Sequence, residues 1–163
     1  AGCLALQTRR QDALLLPLEN PQQTPAYAYH PRHSPQCPKF SRGVALVLDN
    51  YTTTWLSGTA SVVHSISRHA GDIVRQTEQT IENIQRLISA ENFVFHGIQH
   101  SGAQLSDLAK IRVYLKRAED FSRCRAVCEQ RFGLVPAIYA MADICRPELL
   151  VEIEGVAFTK AKA

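Results

Sequence analysis

One strand with regularly spaced acids constrains this chain more than any other feature. Residues 149–158 alternate apolar side chains with Glu152 and Glu154. Successive side chains of a β-strand point to opposite faces, so both glutamates must share one face of a sheet. Either this face is exposed and both acids are solvated, or one acid lies in a pocket where desolvation raises its pKa and suits it to proton transfer. The pattern alone leaves both interpretations open.

The spacing of apolar residues predicts five strands and two helices in the order β-β-α-β-α-β-β. The predicted strands are 44–48, 51–56, 108–115, one that starts at Pro136, and 149–158; the predicted helices are 72–90 and 119–132. This order predicts an α+β fold with one mixed sheet and both helices on one face. The other face then needs a cover, which favours self-association.

The first 39 residues differ from the rest because prolines recur among Gln, Tyr and His. Proline removes a backbone donor and disfavours helix before it. We therefore expect a Pro-rich extended N-terminal arm at 1–39, with a possible short strand at 13–16, followed by one folded domain at 40–160.

Composition excludes several classes of protein. The chain has 163 residues, of which 45% are apolar and 20% charged, as in an ordinary globular domain. A net charge of +3 without a basic patch gives no reason to expect a nucleic-acid partner. No apolar run approaches the roughly 20 residues that span a membrane. Charged residues interrupt the apolar start, so a signal peptide is not expected.

The five cysteines are scattered and odd in number, which argues against a disulfide framework. They are Cys3, Cys37, Cys124, Cys128 and Cys145. Cys124 and Cys128 stand one helical turn apart, which predicts a core-facing pair, and no CxxC motif suggests a metal site. We expect free thiols in a reducing cytoplasm, with neither metal nor cofactor.

Two segments between the predicted elements also contain candidate functional residues. The small residues Ser57, Gly58, Thr59, Ala60 and Ser61 follow the second strand. They would let a backbone approach a ligand closely, or they simply end the strand. Residues 91–106 are predicted to form a loop in which His96 and His100 are solvated.

The predicted order, together with its motifs, resembles the Rid (YjgF) family, which is often labelled endoribonuclease. The matching residues are Ser57-Gly58, Gly71-Asp72, Gln76-Thr77, Asn83-Ile84, Leu108-Ala109-Lys110-Ile111, Val113-Tyr114-Leu115, Asp120-Phe121, Pro136-Ala137 and Glu152-Ile153-Glu154-Gly155-Val156-Ala157. The resemblance implies the Rid/YjgF (chorismate mutase-like) fold. It also implies a homotrimer whose sheets form a central barrel, with ligand pockets between subunits.

One position departs from the enzymes of that family, which hydrolyse enamines and imines. They hold the substrate carboxylate with an arginine directly after Pro-Ala, where this chain has Ile138. An isoleucine cannot replace the bidentate guanidinium. The resemblance to an imine deaminase therefore lacks its carboxylate anchor unless Arg125 or Arg146 substitutes.

A second resemblance covers nearly the whole chain, including the arm. Similar segments occur in the C-terminal half of chorismatases, namely Glu19-Asn20-Pro21, Pro25-Ala26-Tyr27, Pro38-Lys39-Phe40-Ser41-Arg42, Ser57-Gly58-Thr59-Ala60-Ser61, His69-Ala70-Gly71-Asp72 and Ala142-Asp143-Ile144-Cys145-Arg146. Those two-domain enzymes cleave the enolpyruvyl ether of chorismate and release pyruvate. The resemblance implies that Glu152 is the acid that protonates the methylene carbon of the substrate.

The resemblances together imply a pocket with Glu152 as catalytic acid. The residues expected to bind a small carboxylate ligand are Ser57, Gly58, Thr59, Ala60, Ser61, Arg125, Ile138, Tyr139, Cys145 and Arg146. A lyase or hydrolase of the chorismatase type, or a relic of one, is the first hypothesis. The alternatives are an imine deaminase, a non-catalytic ligand-binding trimer, and an endoribonuclease, which the charge and aromatic content do not support.

Overall fold

A computed structural model describes residues 5–29 and 38–160 of the chain. In this part the strands are β1 (Leu14–Leu18), β2 (Gly43–Leu48), β3 (Tyr51–Ala60), β4 (Val62–Val63), β5 (Ile66–Ser67), β6 (Leu108–Leu115), β7 (Ala137–Met141) and β8 (Val151–Lys160). The helices are α1 (Ile73–Ile88), α2 (Ala90–Phe95) and α3 (Phe121–Phe132).

Six strands form one mixed sheet in the order β1-β2-β3-β8-β6-β7, and β4 pairs with β5 beside it. Neighbouring strands of the large sheet run antiparallel except β6 and β7, which are parallel. The predicted α+β class and the single mixed sheet are confirmed. The strand that carries the two glutamates lies inside the sheet, between β3 and β6.

Helices α1 and α3 cover one face of the sheet, as the apolar pattern predicts. Asp72 accepts a hydrogen bond from the Arg75 amide and so caps α1, whose apolar stripe then faces the strands. Ile81 and Ile84 of α1 are fully buried in one cluster with Ile153 of β8. This cluster is the hydrophobic core, and it holds β8 from one side.

The opposite face of the sheet is not covered by a helix in the described part of the chain. Phe158 of β8 is 54% exposed on it, and Leu15 of β1 is 58% exposed. Near β6 and β8 the same face carries charged side chains, among them Arg112 and Glu154. This face, apolar at one end and charged at the other, is called the open face below.

The predicted arm contributes a strand to the sheet. Strand β1 pairs with β2 at the sheet edge, where Pro17 is tolerated because no neighbour needs its missing N–H. Leu18 and Ala26 are fully buried, so this segment packs against the rest of the fold. The boundary near residue 40 stays a prediction, and residues 30–37 lie outside the described residues.

One predicted loop is wrong in part, because residues 91–106 include helix α2. Ser89 caps this helix by accepting from the Asn92 amide. His96 at its end is not a solvated side chain: Nε2 accepts from the Glu19 amide at 3.1 Å, and Nδ1 lies 2.8 Å from the Asn92 carbonyl oxygen. The tautomer with Nδ1–H satisfies both contacts, and it fastens the arm to α2. His100 is exposed, as expected.

Three of the five cysteines lie in the described part of the chain. Cys124 and Cys128 are buried in the core as free thiols, whereas the free thiol of Cys145 is exposed. Cys3 and Cys37 lie outside the described residues. Within residues 5–29 and 38–160, no cluster of three or more His, Cys, Asp or Glu could hold a metal, and no helix is long and apolar enough to cross a membrane.

Candidate functional site

A β-bulge brings Gly58 against the carboxyl group of Glu152. Strands β3 and β8 pair regularly as far as Leu56, the register then shifts, and pairing resumes at Thr59. A Cβ atom added to Gly58 would lie 2.0 Å from Glu152 Oε1. Only glycine leaves room for this carboxyl group, and the small residues after Leu56 continue strand β3 as far as Ala60.

Glu152 has the properties of a proton donor. Its half-buried side chain lies on the open face, where its residue pairs with Tyr114 of β6. Burial, followed by the negative charge of Glu154, raises the pKa of Glu152. Among the residues that the structure describes, its carboxyl group has no hydrogen-bond partner. A raised pKa keeps more of the acid protonated at a given pH, and the proton is not engaged elsewhere.

Cys145 lies beside this acid, in the loop between β7 and β8. Partial desolvation and the charge of Glu152 raise the pKa of the Cys145 thiol, while the adjacent Arg146 opposes the shift. The thiol is therefore mainly protonated at neutral pH. This loop thus brings an exposed thiol close to Glu152, and Arg146 follows that thiol in sequence.

Two guanidinium groups lie against the ring of Tyr29. The Cζ atom of Arg146 is 5.4 Å from the ring centroid, and that of Arg42 is 5.8 Å away. Such distances allow cation–π attraction. Arg146 is held further by hydrogen bonds from Nη1 to the Ser65 carbonyl oxygen at 2.8 Å and to Ser67 Oγ at 3.1 Å.

Both guanidinium groups keep an unused donor. Among the described residues, Arg146 Nη2 and Arg42 Nε are buried and have no hydrogen-bond partner. Arg42 is only 5% exposed, and its Nε lies 3.9 Å from Glu19 Oε2, beyond hydrogen-bond range. Burying an unpaired charged donor costs free energy, so an anionic ligand at this place would be favourable.

A series of contacts links Glu152 to the two guanidinium groups. Arg42 accepts at its carbonyl oxygen from the Ser57 amide at 3.0 Å, and Ser57 precedes Gly58. Gly58 touches Glu152, whose charge reaches Cys145, and Cys145 precedes Arg146. Arg146 and Arg42 share the ring of Tyr29, so the series of contacts runs from the acid to both guanidinium groups. We call these linked residues the Glu152 site.

Three predicted ligand residues do not join the Glu152 site within one chain. Tyr139 faces the helices, where its ring meets that of Phe121 edge-on at 5.3 Å. Arg125 of α3 pairs with Glu129 at 2.7 Å and, with Tyr139, lines a cavity of about 380 Å³ behind the sheet. Ile138 is 62% exposed on the open face, opposite Arg112 in register. The structure therefore separates Arg125 and Tyr139 from the predicted acid.

Thr59 and Ser61 are buried with their hydroxyl groups already bonded. Thr59 Oγ1 donates to the Ser57 carbonyl oxygen at 3.0 Å, and Ser61 Oγ donates to that of Arg68 at 3.1 Å. These bonds hold the bulged strand in place. A direct ligand contact from either hydroxyl group remains a prediction without support from this geometry.

Tyr29 and Arg42 belong to the site but were not predicted from the sequence. Both come from the N-terminal quarter of the chain, far from the acid in sequence. The only sequence signal was that Arg42 ends one of the segments shared with chorismatases.

Comparisons with known proteins give a consistent result. No protein-family model matches the chain. A 3-hydroxybenzoate synthase of Streptomyces hygroscopicus is 41% identical over 144 residues, which cover 85% of this chain and 42% of that protein. A crystal structure of a chorismatase superposes with a TM-score of 0.83 at 34% identity, over 88% of this chain and 44% of that one. The chain thus spans less than half the length of these relatives.

Shorter proteins also match. A RutC family protein of Pyrococcus abyssi is 31% identical over 90 residues, which cover 54% of this chain and 63% of that protein. The crystal structure of a putative endoribonuclease L-PSP of Entamoeba histolytica has a TM-score of 0.64 at 16% identity, over 90% of this chain and 100% of that one, which shows the fold alone. The homologues are therefore chorismatases, over part of their length, and RutC/YjgF proteins, and the predicted resemblance is confirmed.

Proposed function

We propose that this chain acts on a small enol-ether carboxylate of the chorismate type, with Glu152 as the proton donor. The observation that carries the proposal is the Glu152 carboxyl group itself. It is half buried, it has no hydrogen-bond partner among the described residues, and its pKa is raised. The likeness to chorismatases and to a 3-hydroxybenzoate synthase supplies the substrate class.

The chemistry needs one well-placed acid. The carboxylic acid of Glu152 would protonate the methylene carbon of the enolpyruvyl group, and positive charge would develop on the carbon that bears the ether oxygen. Water then adds to that carbon and returns a proton to the carboxylate. The resulting hemiketal collapses to pyruvate and the ring alcohol, so one water is consumed per ether cleaved. General acid catalysis of this kind contributes typically 10²–10⁴-fold in rate.

The unused guanidinium donors are the groups proposed to recognise the carboxylates of the substrate. Arg146 Nη2 and Arg42 Nε would bind carboxylate oxygens of the substrate and gain the partners they lack. Ile138, by contrast, presents an apolar side chain where imine deaminases bind a carboxylate. We therefore expect little activity on enamines derived from serine or threonine.

Self-association would complete the site. The open face exposes Leu15 and Phe158 at its apolar end and Ile138 at its other edge, and exposed apolar side chains of this kind are typical of an interface. We propose a homotrimer in which the open faces pack together and ligand clefts form at subunit boundaries. Light scattering at micromolar concentration measures the mass; a monomer there contradicts the trimer without touching the proposal for Glu152.

Pyruvate release from chorismate tests the reaction. Lactate dehydrogenase and NADH detect the pyruvate, and mass spectrometry identifies the ring product. The wild type should release pyruvate, Glu152→Gln should lose this activity, and Glu82→Gln, an equivalent change on the exposed side of α1, should keep it. Release that persists in Glu152→Gln, or none from the wild type, contradicts the proposed function.

A further inference from the structure

A second acid lies close to Glu152 but belongs to a different set of contacts. Glu154 Oε1 accepts from Arg112 Nη1 at 2.5 Å, and the same nitrogen lies 3.1 Å from Tyr114 Oη. The three side chains come from two adjacent strands, β6 and β8. Within the described residues, they form one hydrogen-bonded group on the open face.

This group adjoins the proposed proton donor through the register of the sheet. Residue Arg112 pairs with Glu154, and the next same-face rung pairs Tyr114 with Glu152. Side chains on neighbouring rungs of one face interact. The half-buried ring of Tyr114 also packs against the small apolar cluster around Ile144, which fixes its position. Both charges of the Arg112–Glu154 pair therefore lie at set places beside Glu152.

We propose that Arg112 and Glu154 are positioning residues that control the protonation of Glu152. Neither touches the Glu152 site, so their effect on catalysis runs through the acid. The use of this control in turnover rests on the proposed function, whereas the electrostatic coupling itself does not.

The charges around Glu152 set the expected signs. From β8 the negative charge of Glu154 opposes ionisation of Glu152, and from β6 come Arg112, which is paired with Glu154, and Tyr114 on the rung of Glu152. From the loop before β8 come Cys145 and Arg146, while the adjoining residues 57–60 of β3 have no titratable side chain. Removing the charge of Glu154 should make Glu152 more acidic, and removing that of Arg112 should make it less acidic.

Glu154→Gln and Arg112→Gln test this directly, because the coupling predicts opposite shifts. The titration of Glu152 is followed by ¹³C NMR of the glutamate carboxyl carbons and assigned with Glu152→Gln. We expect Glu154→Gln to lower the midpoint and Arg112→Gln to raise it. Arg112→Lys keeps the charge and should leave the midpoint near that of the wild type.

The double variant shows whether Arg112 acts on Glu152 by its own charge or only by holding the Glu154 carboxylate in place. Because Coulomb potentials add, the combination Arg112→Gln with Glu154→Gln should titrate near the wild type if the charge of Arg112 offsets that of Glu154. A double variant that titrates like Glu154→Gln alone contradicts this charge effect and assigns Arg112 to the placement of Glu154. Shifts of equal sign in both single variants, or no shift in either, overturn the proposal, since loosened structure does not reverse sign. If Arg112→Gln fails to fold, Arg112→Lys and Glu154→Gln still decide it.

The activity profile distinguishes this inference from the proposed function. With chorismate as substrate, the basic limb of the kcat profile should move with the NMR midpoint, downward for Glu154→Gln and upward for Arg112→Gln. Midpoints that move as expected without any pyruvate release confirm the coupling and contradict the proposed function. Pyruvate release from the wild type, with a midpoint that moves in neither variant, supports the proposed function and contradicts the coupling.

Discussion

The two faces of strand β8 bury different kinds of side chain. On the helix-covered face, Val151, Ile153 and Ala157 are buried against α1 and its neighbours, as hydrophobic burial alone would dictate. On the open face, Glu152 is half buried without a partner among the described residues, and its pKa is raised. Burial of the apolar side chains on the first face stabilises the fold, whereas burial of the unpaired acid on the second face destabilises it. A destabilising arrangement of this kind is typical of a functional site.

Buried polar groups show the same contrast. On the helix side, the Gln76 amide donates to the Glu148 carbonyl oxygen at 2.8 Å and accepts from the Leu150 amide at 2.8 Å. Asn83 Nδ2 donates to the carbonyl oxygens of Ala60 and Val62. These bonds fix the start of β8 and the end of β3, the strand segments that meet at Gly58 and Glu152. The hydrogen-bonded amides on the helix side thus hold in place the strands that carry the unpaired acid on the open face.

The largest expected effect comes from Gly58→Ala. The added Cβ would lie 2.0 Å from Glu152 Oε1, so the carboxyl group must move away from its present position. The atom displaced is the far end of a flexible side chain, so stability should change little. We expect turnover of chorismate to fall on the order of 10²-fold or more, since the acid is no longer in place.

Gly155→Ala is the matched control for that substitution. Its Cβ would meet the Lys110 carbonyl oxygen at 3.1 Å and the Leu56 side chain at 3.3 Å, on the other face of β8. This variant should lose some stability but keep most of its turnover. Equal turnover in Gly58→Ala and the wild type would show that the position of the Glu152 carboxyl group is not critical.

Much of the fold could be predicted from the sequence because its helices and strands follow from the periodicity of apolar residues. Helix α1 and the strands of the sheet have long apolar patterns at the right spacing, and their bounds agree with the structure within a few residues. Helix α2 was missed because six residues give less than two turns of pattern. Strand β3 was predicted to end at Leu56 because small polar residues follow, and a bulge is not encoded in alternation.

The site could be predicted only in part, for a physical reason. The placement of Gly58 against Glu152 agrees with the motifs that carry the family resemblance. Tyr29 and Arg42 could not be found, because their approach to Arg146 depends on how an extended segment folds back over the domain. Tyr139 was expected to bind a ligand, but its position on β7 turns it towards the helices.

The next prediction compares how substitutions on the two faces of β8 change the free energy of unfolding. Ile153→Ala removes a fully buried side chain from the helix-covered face and should lower the free energy of unfolding by about 2–5 kcal/mol. Val156→Ala removes methyl groups from the half-buried open face and should cost about 1 kcal/mol or less. Urea titration measures both. A larger loss at Val156 would show that the open face is buried in the assembled protein, which fits the proposed trimer.

The smallest effect is the dependence of stability on pH at Glu152. Because the pKa of Glu152 in the folded state is above its ordinary value of 4.5, the folded state binds this proton more tightly than the unfolded state. The stability that the bound proton contributes is fully present below the unfolded pKa and is lost as pH rises through the folded pKa. Glu152→Gln cannot ionise and should escape this loss, while other groups such as Glu19 titrate equally in both proteins and cancel. The melting temperature of the variant minus that of the wild type should therefore rise by on the order of 1–3 °C between about pH 4 and about pH 8. A difference that stays constant over this range would mean that Glu152 is solvated in the folded state, and it would no longer qualify as a desolvated acid.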